Sequence, residues 1–202
     1  MLAEVVEELA ARDPDLAGIV GRFGSPPLWD RELGFPTLLQ IVLEQQVSLA
    51  SARAAFARLH VLASPLTPAR FLELDDAHLL AIGFSRQKVR YGRALARALA
   101  SGALDLDALA TFDDEAVHRA LRAMPGIGPW TSTIYLLMVL PRPDVRPVGD
   151  MALEAAIGDV KGLGRRPDAT EMAELGEVWR PWRSVAARLF WHDYLGRRGR
   201  PG

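Results

Sequence analysis

Residues 122–137 read Arg-Ala-Met-Pro-Gly-Ile-Gly-Pro-Trp-Thr-Ser-Thr-Ile-Tyr-Leu-Leu, with Pro125, Gly126, Gly128 and Pro129 crowded between two helical runs. Gly126 and Gly128 permit positive φ, so the chain can reverse within the loop. Pro129 suits the first turn of the next helix, where a missing N–H costs nothing. Backbone N–H groups at a helix N-terminus, with no Cβ in front of them, bind anions, and a phosphate diester is the natural occupant. The alternative is a tight turn and nothing more. A second candidate is Asp150, which comes after Arg-Pro-Val-Gly and precedes the apolar run Met-Ala-Leu-Glu-Ala-Ala-Ile. It is well suited to be an N-cap. A carboxylate there has its anion stabilised by the helix dipole.

The remaining chemistry is restricted by what the 202 residues lack. There is no cysteine, which excludes disulfides, thiolate nucleophiles and cysteine-held zinc or iron–sulfur clusters. Lys88 and Lys161 are the only lysines. His60, His78, His118 and His192 have no metal-ligand spacing and read as structural. The formal net charge is −1, so there is no global basic footprint, but the charge is uneven. Glu4, Glu7, Glu8, Asp13 and Asp15 make the N-terminus acidic, whereas Arg86, Lys88, Arg90, Arg93 and Arg97 lie in a stretch without acids from 77 to 104. Arg86, Arg90, Arg93 and Arg97 share one helix face. A local basic stripe on a neutral chain suits an anionic partner touched over a limited area. No apolar run approaches the ~20 residues that span a bilayer, and the N-terminus lacks a signal-peptide layout. The lack of a spanning run and of a signal layout leads us to expect a cytoplasmic protein.

The elements that must position these residues are almost all helical. Apolar spacing predicts helices over 2–12, 14–22, 35–63 with a break near Val47–Ser51, 76–82, 86–101, 106–109, 114–123, 130–140, 151–157, 170–177 and about 181–195. Alternating β-branched runs are nearly absent, so the expected class is all-α. Residues 24–34 and 141–149 read as irregular, the latter a rigid Pro/Gly loop delivering the chain to Asp150. The tail from Gly196 reads as frayed.

Taken together, Leu-Arg-Ala-Met-Pro-Gly-Ile-Gly (121–128), the Pro/Gly loop ending in Asp150, "IVLEQQVSLASA" (41–52), "GFSRQKVR" (83–90) and "WRPWRSVAARLFW" (179–191) occur in an order that resembles the helix–hairpin–helix superfamily of DNA glycosylases. The branch they look most like is 3-methyladenine-DNA glycosylase II, over roughly residues 35 to 195, in a minimal form without the extra N-terminal domain of larger members. The resemblance implies two helical subdomains flanking a cleft: 32–143, carrying the hairpin, and 1–31 with 144–202, carrying the Asp150 loop and the last helix. It implies that the chain flips alkylated purines (3-methyladenine, 7-methylguanine) out of double-stranded DNA and hydrolyses the N-glycosidic bond.

In that scheme Asp150 is the catalytic anion, and Trp130, Trp191 and Tyr135 belong to the base pocket. Trp179 and Trp182 read as core, and Glu154 as solvated or paired structure. Gly126, Ile127, Gly128, Gln45, Gln46, Ser48, Arg86 and Arg90 touch DNA, with Arg86 or Phe84 as the wedge and Gln45 and Gln46 as candidate plugs. An alkylated purine is already cationic and leaves without a general acid, so one carboxylate suffices where ordinary glycosidases use two. Strand-cutting relatives place a Schiff-base lysine where this chain has Trp130, which implies a monofunctional hydrolase. No cofactor and no iron–sulfur cluster is expected, though a monovalent cation can sit in the hairpin of relatives. Three readings compete: a glycosylase for another damaged or mismatched base, a non-catalytic helix–hairpin–helix DNA-binding module, and a small-molecule all-α enzyme.

Overall fold

A computed structural model describes residues 2–199. Among them the chain forms α1 (Leu2–Arg12), α2 (Pro14–Phe23), α3 (Phe35–Glu44), α4 (Leu49–Leu62), α5 (Pro68–Glu73), α6 (Asp76–Ala81), α7 (Arg86–Ala100), α8 (Leu106–Leu109), α9 (Asp114–Arg122), α10 (Pro129–Met138), α11 (Met151–Val160), α12 (Ala169–Glu177) and α13 (Arg183–Arg197). No strand occurs among the described residues. The starts are set by side-chain caps: Asp13, Ser48, Thr67, Asp75, Ser85, Asp105, Asp113, Asp150 and Asp168 each accept a backbone N–H of the helix they open. Two expectations are corrected. The periodicity gives no sign of α5, and α13 runs through Arg197 in place of a frayed tail from Gly196. Residues 200–202 of that tail lie outside the described residues.

The chain divides into two compact units, residues 1–30 with 141–202 and residues 31–140. The expected boundaries, 31/32 and 143/144, lie slightly later along the chain.

In the first unit α13 is the central helix, packed against α1, α2 and α11. Leu9, Leu16, Ile19, Ala156, Ala186, Leu189 and Phe190 are fully covered apolar residues of this unit, each large side chain contributing about 1.5–3 kcal/mol by burial. Trp179 and Trp182 belong to this fabric, their indole N–H groups donating to Asp13 Oδ2 (2.8 Å) and Glu8 Oε2 (2.9 Å).

In the second unit α3 takes the central place, against α4, α7 and α10. Its near-continuous apolar sequence buries seven of its ten residues, including Glu44, which pairs with Arg31 at 3.0 Å. The break between α3 and α4 falls at residues 45–48, where Gln46 adopts φ +56° and Ser48 caps α4. None of the described helices is long and apolar enough to cross a membrane.

Candidate nucleic-acid interface and active site

In the second unit the hairpin joins α9 to α10. Arg122 and the last turn of α9 lead into a compact turn in which Met124 N–H donates to Leu121 O and Ile127 N–H to Met124 O. Gly126 has φ +84°, and a Cβ there would fall 2.2 Å from the Tyr91 ring, so glycine is required twice over. Gly128 is different: its φ is −96°, and a Cβ would meet nothing within 4 Å. The expectation that both glycines serve the turn is therefore corrected, since Gly128 is not needed by the fold. Gly128 precedes α10 without a side-chain cap. The Gly126 and Gly128 N–H groups have no partner among the described residues, while that of Ile127 is spent inside the turn. Ile127 itself is buried and anchors the loop.

Gln45 is tied to this hairpin. Its Nε2 donates to Gly126 O (2.8 Å) and Thr131 Oγ1 (2.7 Å), so it braces the loop and is not a plug. Gln46 beside it is exposed, carries a positive φ and makes no side-chain hydrogen bond. Strain of this kind in a non-glycine residue, of order 1–3 kcal/mol, persists where the surroundings enforce it. The enforcement is visible: Gln45 is bound on one side, Ser48 accepts from Ser51 N on the other, and Lys88 Nζ donates to Leu43 O at 2.5 Å. Lys88 is thus a brace for the end of α3, and burial pushes its amine below the usual lysine range.

The basic stripe on α7 is shorter than its sequence suggests. Arg86, Arg90 and Arg97 are exposed, but Arg93 is consumed by Asp76 and the carbonyls of Leu72 and Leu74. Phe84 is 4% exposed and cannot be a wedge without leaving the core. Tyr135 is also corrected. It is fully buried, its hydroxyl has no hydrogen-bond partner, and burial with the nearby Asp107 charge pushes its pKa far up, so it presents no face for stacking. Trp130, on the first turn of α10, stays half-exposed. His118 hydrogen-bonds Ser132 Oγ at 2.8 Å, a structural role.

In the first unit the Pro/Gly loop ends in Gly149 at φ +73° and turns the chain into α11. Asp150 caps that helix, Oδ1 accepting Leu153 N–H at 2.8 Å. The same oxygen accepts Trp191 Nε1–H at 3.2 Å, across from α13. Cap and indole together orient the carboxylate. Val148 and Met151, close to it along the chain, are 46% and 68% exposed, so apolar side chains stand open near the carboxylate. Trp191 is 8% exposed and lies edge-to-face with Trp29, ring centroids 6.5 Å apart. Sequence reasoning does not single out Trp29, because it lies in an irregular stretch with no periodic or motif signal.

Lys161 is also in this unit, bound to both Asp13 oxygens (3.0 and 2.8 Å) and to Asp15 Oδ2 (2.8 Å). Burial would lower its amine, but the two carboxylates outweigh it and hold the ammonium form. Among the described residues no group of His, Cys, Asp and Glu could hold a metal ion.

Comparison with known proteins gives this geometry a context. Residues 39–181 match the model of the HhH-GPD superfamily base excision DNA repair proteins. A Mycobacterium tuberculosis protein described as a "probable bifunctional transcriptional activator/DNA repair enzyme" is 32% identical over 93% of this chain. The chain spans only 39% of that relative's length. A Schizosaccharomyces pombe DNA-3-methyladenine glycosylase is 26% identical over 87% of this chain and 79% of its own. The structure of a 3-methyladenine DNA glycosylase from the same yeast, in complex with abasic DNA, superposes with a TM-score of 0.87 at 25% identity, covering 93% of this chain and 95% of that one. The matched segment holds both the hairpin and the Asp150 loop, so the chain belongs to the HhH-GPD superfamily of base excision DNA repair proteins.

Proposed function

We propose that this protein is a monofunctional DNA glycosylase that releases alkylated, cationic purines from duplex DNA and leaves an abasic site. The observation that carries this reading is the Asp150 carboxylate, which caps α11 and is held by Trp191 Nε1 at 3.2 Å. An N-alkylated purine already carries the charge that makes it a leaving group. The reaction then needs one anion beside C1′ to stabilise the oxocarbenium-like sugar and orient water, and aromatic surface to attract the cationic base. Asp150 supplies the first, and Trp191, whose indole holds that carboxylate, belongs to the second. The Gly126 and Gly128 N–H groups anchor a phosphate, Arg86 and Arg90 add phosphate contacts, and Gln46 is the exposed residue suited to enter the stack. The step proposed at Asp150 calls on no cofactor. DNA as substrate implies work at the nucleoid.

Incubation with methylated duplex DNA, followed by chromatography of the released bases, tests this directly. 3-Methyladenine and 7-methylguanine should appear and normal bases should not. Release of neutral lesions at equal rates would remove the charge argument. Borohydride should trap no covalent adduct, because Lys161 is held as an ammonium by two carboxylates and Lys88 is bound to a carbonyl. Efficient trapping that is lost in Lys88→Gln would identify a lyase instead.

The two hairpin glycines separate folding from binding. Gly126→Ala should lower stability by about 1–3 kcal/mol through the Tyr91 clash and the positive φ. Gly128→Ala should change stability by less than about 0.5 kcal/mol and yet weaken binding to all duplexes alike, because its Cβ would stand where a phosphate approaches. Undiminished affinity of Gly128→Ala for undamaged duplex would end the anchoring role.

A further inference from the structure

Trp29 occupies a position that ordinary packing does not require. Its backbone has φ +51°, one of two non-glycine residues in the left-handed region among those described. A bulky aromatic there is strained, and such strain persists only where neighbours enforce it. The enforcer is Arg188 on α13, itself 3% exposed. Its Nε donates to Leu28 O at 2.6 Å and its Nη2 to Asp30 Oδ1 at 2.8 Å. One buried guanidinium thus grips the residues on both sides of Trp29. Burying a guanidinium is expensive unless its donors are satisfied. Burial lowers the Arg188 pKa, against the pull of Asp30. The outcome is an indole, still half-exposed, set edge-to-face against Trp191 at 6.5 Å and against His192 at 6.4 Å. Trp191 in turn holds Asp150.

We propose that Trp29 is a specificity-determining residue of the Asp150 site, a second aromatic wall that contacts the extruded base and favours a cationic purine ring. This rests on the excision reading above and adds to it a residue outside the segment that matches the family, 39–181. The half-exposed Trp29 ring, set against Trp191 and the carboxylate that Trp191 holds, brings a negative ring face close to an anion, and both favour positive charge. A neutral purine gains dispersion there but not the charge attraction. Arg188 is the positioning residue, fixing the direction in which the indole points without touching the base.

The test uses the full chain with a duplex carrying one 7-methylguanine, and compares wild type with Trp29→Phe, Trp29→Ala and Trp29→Gly. The glycine variant accommodates the positive φ, so it removes the ring while relieving the strain and guards against a folding defect in the alanine variant. Two quantities are read: the single-turnover excision rate and the affinity for abasic-site duplex, where no base is left to contact. Trp29→Ala and Trp29→Gly should slow excision by about 3- to 30-fold, the scale of a lost cation–π contact, and change abasic-site affinity less than about 2-fold. Trp29→Phe should keep most of the rate. Unchanged rates in an active series overturn the role of Trp29 alone. Parallel losses of rate and abasic-site affinity make Trp29 a packing support for Trp191 and likewise overturn it. A wild type that releases no methylated purine overturns the excision reading and this one with it.

Discussion

Asp150→Asn should slow base release by at least ~100-fold, the usual scale for a preorganised charge opposite a developing one, while the protein folds and binds duplex DNA as before. The structure makes this substitution clean. Asparagine caps helices as well as aspartate does, and its carbonyl oxygen can accept both bonds that Oδ1 now accepts, from Leu153 N–H and Trp191 Nε1–H. What is lost is the negative charge. The measurement is single-turnover release of 7-methylguanine, with melting temperature and duplex affinity as controls. Asp150→Ala is the less informative variant, since it also forfeits the cap, at about 0.5–2 kcal/mol. Release by Asp150→Asn near the wild-type rate would reduce Asp150 to a cap and remove the chemistry proposed for the site.

The largest effect on stability is expected from Lys161→Met. Lys161 is the counter-charge of Asp13, which is 4% exposed, caps α2 and accepts the Trp179 indole N–H. Burial alone would raise the Asp13 carboxyl, but the hydrogen bonds from Lys161 and Trp179 outweigh it and hold it below the usual carboxylate range. Removing the lysine leaves a buried carboxylate uncompensated, at a cost of about 3–5 kcal/mol. At ~2–4 °C per kcal/mol for a chain of this size, the melting temperature should fall on the order of 10 °C. Asp13→Asn combined with Lys161→Met should recover part of the loss, because no charge is then stranded.

The pH dependence is given by the directions of the shifts. Asp13 is depressed in the folded state, so its contribution is present above the unfolded carboxylate range near pH ~4 and is lost as pH falls through the lower folded value. Lys161 is raised, so its contribution is present below the ordinary lysine range and is lost only in strong alkali. Wild type should lose stability in acid below about pH 4, and Lys161→Met should start lower and lose less there. A Lys161→Met melting temperature within about 2 °C of wild type at neutral pH would contradict the buried pair.

Local features are readable from the chain alone, because local physics decides them. Asp150 at the head of Met151–Val160 is an N-cap by residue type and by the apolar run behind it. Pro129 after Gly128 marks the start of α10, and apolar spacing locates nearly every other helix. The exception, α5, is a six-residue helix with Phe71 as its one buried residue, too short to give a period. Residue type also shows that both lysines have to be accounted for, and the motif order points to the family that the comparisons show.

Tertiary structure decided which of the chemically capable residues are available. Arg93 and Arg90 look alike in sequence, yet only Arg93 is spent on Asp76 and two carbonyls. Gln45 and Gln46 are adjacent and identical in type; one is bonded to the hairpin and the other stands exposed on a left-handed backbone. Tyr135 matches a pocket position by resemblance, but it is sealed in the core. Gly126 and Gly128 are both glycines, and only Gly126 needs to be one for the fold. Trp29 acquires meaning solely from Arg188 and Trp191, about 160 residues away along the chain. Period and cap are set within a few residues, so they are written in the order of the amino acids. The partner of a long polar or aromatic side chain is set by which helices pack together, and that packing comes from burying apolar faces whose pairings no short stretch of sequence contains.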